Sequence, residues 1–244
     1  MPGAADHFLV ALLVLLLPPR AWISFRALRL ASPERRFALR RRTYIAASIS
    51  QWVLSILLLL YWARMRRSWV ALGVLPVLSP GAIGITVGLA IAVTLMIMRA
   101  RSGGEAAMLD QARERLAFAE PILPHTRGEL ALFRALSVTA GICEELLFRG
   151  FLIWYLSNYT GLIQAALLSS LAFGIGHAYQ GPRGMAITAV VGAVMSALYL
   201  LSGSLVLPMV IHAAMDLHAG WLAYRVFGGA GPKGGAAGPT AAPA

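Results

Sequence analysis

The stretch TAGICEELLFRG, residues 139–150, sets two adjacent carboxylates, Glu144 and Glu145, and one guanidinium, Arg149, inside a long apolar run. How that run is read decides the fold. In the 244-residue chain 59% of residues are hydrophobic and 13% charged, with a mean hydropathy of +0.72. A soluble domain is about half apolar and about a quarter charged. The apolar residues also come in blocks of roughly 18 or more, the length of a membrane-spanning helix. The expected fold is all-α: a polytopic membrane protein of about seven transmembrane helices, the last four forming a core around the quoted stretch.

The blocks cover residues 7–25, 43–63, 81–98, 130–156, 162–178, 185–201 and 205–227. Pro18 and Pro19 are expected to break the first. It is not a convincing signal peptide, because MPGAAD carries no positive side chain and no small-x-small cleavage site follows, and it reads as a weak first span. If that block is re-entrant or cleaved, the count drops to six. Between the third and fourth blocks lies a polar stretch, residues 99–128, with a short interfacial helix expected near 114–119. Short connections at 157–161, 179–184 and 202–204 make the last four helices antiparallel neighbours. The expected organisation is an N-terminal membrane region with basic loops (1–128), a helical core (129–227) and a Gly/Ala/Pro tail (228–244) read as disordered.

The formal net charge of +11 is not spread evenly. Arg26, Arg29, Arg35, Arg36, Arg40, Arg41 and Arg42 crowd one loop. Arg99, Arg101, Arg113, Arg115 and Arg127 crowd another on the same side. The positive-inside rule makes that side, and the C-terminus, cytoplasmic. Arg64, Arg66 and Arg67 are exceptions on the opposite face. These basic segments point to anionic lipid headgroups as partners rather than nucleic acid. A lone cysteine, Cys143, excludes an intramolecular disulfide and a multi-cysteine zinc site, and it reads as a small apolar packing residue.

Of the ten acids, Glu144, Glu145 and Asp216 fall inside spans; Asp6 and Glu129 are among those at block edges. An ionisable residue at the centre of a membrane helix costs roughly 2.5–3.5 kcal/mol on insertion scales, so it faces protein and marks a site. His177 and His212 join this set, whereas His218 reads as structural. On a helix Glu144 and Glu145 point about 100° apart. Glu145 is four residues before Arg149, the favourable spacing for an ion pair, and Glu144, with no local partner, is left to face a cavity. A purely structural salt bridge would also explain Glu145 and Arg149. Phe173 and His177 share a face by i, i+4, as do His212 and Asp216. A carboxylate one turn from a histidine can hold it in one tautomer, and a glutamate in apolar surroundings suits a general base. Together these groups have the equipment to activate water and stabilise an oxyanion.

The motifs E-E-x-x-x-R (Glu144, Glu145, Arg149), F-x-x-x-H (Phe173, His177) and H-x-x-x-D (His212, Asp216) resemble the CPBP family of CAAX- and bacteriocin-processing intramembrane proteases, also called Abi. The resemblance covers about residues 130–225. It implies an endopeptidase acting on a membrane-associated peptide or protein. By likeness, Glu144 activates water with His177 assisting, His212 and its orienting partner Asp216 stabilise the oxyanion, and Glu145, Arg149 and Phe173 support the site. Glu144, His177 and His212 also have the composition of a His₂Glu zinc set. The preferred expectation is a metal-free glutamate mechanism without cofactor. The rival reading is a non-catalytic membrane scaffold or immunity protein that retains the motifs. No H-E-x-x-H or G-x-S-x-G motif offers another protease type, and no inverted repeat suggests a transporter. The Ala/Arg-rich composition suggests a bacterial inner-membrane protein; no oligomeric state or particular substrate is assigned. In the seven-span arrangement His177 falls near the cytoplasmic end of its helix and His212 in the outer third of its own, ~10 Å apart in depth. A late start and a tilt of the last helix are expected to close that gap.

Overall fold

Helices carry the structure, a computed structural model that describes residues 1–75, 81, 84, 88 and 105–228. The third apolar block, 81–98, and the tail beyond Gly228 lie outside the described residues, apart from three isolated helical glycines. No strand occurs among the described residues. Helix α1 covers Ala4–Leu30, α2 Pro33–Arg64, α3 Glu105–Leu116, α5 Leu162–Gly176, α6 Gly181–Ser202 and α7 Val206–Phe227. Helix α4 runs from Arg127–Glu144 through a π-helical segment, Glu145–Leu152, into Ile153–Ser157. Among the described residues, four helical stretches are long and apolar enough to cross a membrane: Ala4–Leu30, Pro33–Arg64, Ala178–Ser202 and Val206–Phe227.

The outer surface shows why this is a membrane fold. Ile45, Ile49, Trp52, Ile56 and Leu60 of α2 form an exposed apolar stripe, as do Ile163, Leu167, Leu171 and Ile175 of α5. The opposite face of α2 buries Arg40, Tyr44, Ser55, Leu58 and Trp62. An apolar exterior around a partly polar interior inverts the pattern of a soluble protein and suits lipid on the outside.

Several expectations about the N-terminal half are corrected. Pro18 and Pro19 do not break the first block. A π-helical turn over Leu12–Leu16 precedes them, and they fall in the first turn of the following α-helical segment, where a missing N–H costs little. The first basic loop is mostly helix. Ser32 takes the N-cap position, Pro33 the first helical position and Glu34 the first turn of α2, and arginines are good helix formers, so Arg35–Arg42 extend the helix below the apolar span. The helix of the polar stretch is Glu105–Leu116, followed by a 3₁₀ turn over Ala117–Ile122. Arg113 Nη2 donates to the Val226 carbonyl at 2.8 Å and so satisfies the end of α7.

Two acids at block edges prove to be fully buried. Asp6 binds Arg67 through both oxygens, at 2.7 and 2.6 Å. Arg67 also stacks over Trp154 at 4.4 Å. The exception to the charge asymmetry is therefore partly neutralised by an acid at the start of α1. Glu129 accepts from Arg40 Nε at 2.7 Å and from the backbone N–H groups of His125 and Thr126. This capping box ties the start of α4 to α2.

The four C-terminal helices form the core. Helix α5 packs on α6, and α7 closes back onto α4, which also packs on α2. Small residues set the closest approaches. A Cβ added at Gly141 of α4 would sit 2.8 Å from the Ala213 backbone nitrogen and 2.9 Å from the Met209 carbonyl of α7. Gly141→Ala must therefore push the two helices apart. A loss of about 1–3 kcal/mol is expected, as for overpacking, read as a lower Tm in detergent. His212 lies between Met209 and Ala213, so activity should fall with it. An unchanged Tm would show that α4 and α7 are not so close.

Candidate active site

The quoted stretch lies where α4 widens. The π-helical segment Glu145–Leu152 begins at the second of the two acids, and every residue in it is buried. π-Helical turns are rare and gather at functional sites. Ser169 Oγ of α5 donates to the Phe148 carbonyl at 2.7 Å, anchoring the segment from outside the helix.

Glu145 is 0% exposed and sits at the centre of the polar cluster. Its Oε1 accepts from Arg149 Nη1 at 2.9 Å and meets His212 Nδ1 at 2.7 Å. Arg149 is also 0% exposed. Its Nη2 donates to the Gly192 carbonyl of α6 at 3.3 Å, and its guanidinium lies 4.2 Å from the Phe173 ring centroid. One ion pair thus joins α4, α5, α6 and α7. Gly192 leaves the space for it, since a Cβ there would lie 3.2 Å from Arg149 Nη2.

Glu144 faces differently, and its side chain keeps 17% exposure. Its Oε2 lies 3.9 Å from His212 Nε2, and its Oε1 accepts from Gln51 Nε2 at 2.8 Å. The expectation that Glu144 lacks a local partner holds within α4 but not across to α2. Gln51 is absent from the sequence-based site because a neutral amide in a span carries no charge or titratable group to mark it. The signal was present: an amide in the apolar run ISQWVLSILLLL, one turn from Ser55 on the buried face.

The orienting partner of His212 also differs from expectation. Asp216 Oδ2 is 3.8 Å from His212 Nε2, too far for a hydrogen bond. The side chain that fixes the ring is Glu145, on the neighbouring helix. A partner one turn away competes with a buried carboxylate that already lies across the α4–α7 contact, and the shorter distance decides. His212 therefore shows Nδ1 to Glu145 and Nε2 to both Glu144 and Asp216.

His177 closes α5. Its Nδ1 lies 2.9 Å from the Phe173 carbonyl, one turn earlier, so that nitrogen carries the hydrogen and donates. The Phe173 ring lies between the two imidazoles, 4.7 Å from His177 and 5.9 Å from His212. The late start expected of the last helix is not seen. Helix α7 starts at Val206, close to the sequence boundary. Helix α5 instead has 15 residues, about 22 Å at 1.5 Å per residue, against a bilayer core of about 30 Å. At its C-terminal end His177 and, from α7, His212 both meet the Phe173 ring.

Among the described residues no group of three or more His, Cys, Asp or Glu side chains is placed to hold a metal ion. The Nδ1 atoms of His212 and His177 are hydrogen-bonded to Glu145 and to the Phe173 carbonyl, which leaves Nε2 as the remaining nitrogen of each ring.

Fold and site together define a class: an all-α integral membrane protein with carboxylates, imidazoles and a guanidinium gathered inside its helical core. Residues 126–218 match the family described as type II CAAX prenyl endopeptidase Rce1-like. That segment covers most of the core and all three motifs, and the match agrees with the resemblance of those motifs to the CPBP family. Comparison with curated proteins and with solved structures finds no significant match.

Proposed function

We propose that this protein is a glutamate-dependent intramembrane endopeptidase whose catalytic unit is the helical core, residues 129–227. The carrying observation is the asymmetry of the two acids. Glu145 is sealed and shared between Arg149 and His212, while Glu144 keeps an accessible carboxylate beside His212. Two atoms 3.9 Å apart can share one water at ordinary hydrogen-bond lengths of about 2.8 Å.

In this reading Glu144 takes a proton from that water as its oxygen adds to the scissile carbonyl carbon. The resulting oxyanion accepts from Nε2–H of cationic His212, whose Nδ1–H donates to Glu145. Asp216 contributes negative charge near the same nitrogen. His177, with its hydrogen held on Nδ1, presents Nε2 as an acceptor that assists the proton transfer. As the C–N bond breaks, Glu144 returns its proton to the leaving amine. Arg149, stacked on Phe173, balances the charge of Glu145 and keeps it from acting as a second base. No cofactor enters the sequence of steps.

The substrate is a peptide held at the membrane, and the lipid-facing stripes of α2 and α5 place the whole unit in the bilayer. The positive-inside reading, with the C-terminus cytoplasmic in a bacterial inner membrane, is supported by the gathering of basic residues at one end. There Arg36 lies 3.7 Å from Glu120, and Arg29 stacks over Phe118 at 5.7 Å.

The test is cleavage by the purified protein in liposomes, with quenched peptides ending in S-farnesylcysteine-aliphatic-aliphatic-X and their unprenylated counterparts. Glu144→Gln keeps the shape of the side chain and removes the base. Its kcat should fall by about 10³-fold or more, within the range general-base loss allows. A variant that still cleaves like the wild type removes Glu144 from the mechanism. A wild type that cuts neither peptide favours the scaffold reading.

A further inference from the structure

Gln51 lies on α2, outside the segment that matches the family. Its amide nevertheless reaches the site, donating from Nε2 to Glu144 Oε1 at 2.8 Å. The amide has one sensible orientation, because an ionised carboxylate only accepts. That leaves Gln51 Oε1 turned the other way, buried and without a hydrogen-bond partner. A buried amide oxygen without a partner costs about 1–3 kcal/mol. A residue kept for packing alone would avoid that cost, since leucine or methionine would fill the same space on an apolar helix.

The surroundings argue the same way. Gln51 stands on the face of α2 that buries Tyr44 one way and Ser55, Leu58 and Trp62 the other. The next residue, Trp52, donates Nε1–H to Thr139 Oγ1 of α4 at 3.1 Å. Helix α2 is therefore held against α4 independently of Gln51, and Gln51 is not needed as the clasp between them.

We propose that Gln51 is a positioning residue for Glu144: its amide N–H occupies Oε1 and so presents Oε2 to the hydrolytic water beside His212. This rests on the proposed role of Glu144 as the base. A carboxylate on three rotatable bonds could otherwise turn either oxygen to the water or swing away. One fixed donor selects one rotamer, which is how a supporting group raises the rate without touching substrate.

The experiment measures kcat, KM and Tm for the full chain in liposomes, using the same farnesylated and unprenylated quenched peptides. Gln51→Leu should lower kcat by about 10- to 100-fold, as expected for a lost supporting contact, with KM within about twofold and Tm unchanged or raised. Gln51→Glu, which removes the donor and adds a like charge, should be at least as slow. Gln51→His, which restores an N–H, should recover part of the rate. In the double variant Gln51→Leu/Glu144→Gln, the loss from Gln51 should vanish, because the contact it supports is already gone. Wild-type kcat in Gln51→Leu, with Glu144→Gln inactive, overturns this proposal and leaves Glu144 as the base. A fall in Tm with kcat per folded molecule unchanged shows a structural role and also overturns it. An active Glu144→Gln, or an inactive wild type, overturns the reading beneath it as well.

Discussion

Glu145→Ala should leave little correctly folded protein. The substitution removes the acceptor shared by Arg149 Nη1 at 2.9 Å and His212 Nδ1 at 2.7 Å. Arg149, 0% exposed, would then sit in the core without an opposite charge. Breaking a buried ion pair from one side costs about 3–5 kcal/mol, most of it the penalty of the stranded charge. Here the stranded group also holds Gly192 of α6 and covers Phe173 of α5. The damage should therefore spread through the core rather than stay local. The measurement is the monodisperse fraction after detergent extraction, together with Tm. Two companions separate charge from geometry. Glu145→Gln keeps an acceptor oxygen and should fold better than Glu145→Ala, with His212 less firmly held and activity reduced. The double change Glu145→Met/Arg149→Met removes both charges and should recover much of the lost stability while remaining inactive. If Glu145→Ala melts with the wild type, the pair is not what holds these helices.

That prediction rests on a role the sequence showed only halfway. The i, i+4 spacing of Glu145 and Arg149 suggested a pair on one face, and the angle between adjacent helical residues separated Glu144 from it. Both follow from local geometry, which a sequence carries. The tie from Glu145 to His212 spans 67 residues and depends on how near α4 comes to α7. That approach is set by Gly141 against Met209 and Ala213, a fit between surfaces with no periodic signature. The H-x-x-x-D spacing therefore pointed to Asp216 as the partner of His212, when a carboxylate from another helix lies closer. The same limit hid Gln51, whose meaning comes from facing Glu144 across the α2–α4 contact. Membrane character and most helix positions were legible, because block length and hydropathy record them directly. Helix ends were less so. Pro18 and Pro19 look like a break unless the preceding π-helical turn is known, and Arg35–Arg42 look like a loop because charge marks the end of lipid and not the end of a helix. Asp6 and Glu129 were placed at block edges, yet edge positions are where a buried acid can meet an arginine from a neighbouring segment.

His177→Ala should separate chemistry from stability where Glu145→Ala does not. His177 follows the last residue of α5, and its Nδ1–H donates to the Phe173 carbonyl at 2.9 Å. Helix C-termini leave carbonyls without backbone donors, and this side chain supplies one. Losing one such bond costs about 1 kcal/mol, a small matter in a core this size. The ring is also in contact with Phe173, at 4.7 Å between centroids, and carries no ion pair whose partner would be stranded. Its Nε2, in contrast, is left as an acceptor at the end of the helix that flanks the site. If His177 assists Glu144 in moving protons, kcat should fall by about 10²- to 10⁴-fold with Tm nearly unchanged. His177→Gln can donate to the same carbonyl and should restore the stability without restoring the rate. His212→Ala should behave otherwise: it removes a partner of Glu145 and should lower Tm as well as kcat. Cleavage of the quenched peptides by His177→Ala at the wild-type rate would confine His177 to capping α5 and leave Glu144 and His212 as the working pair.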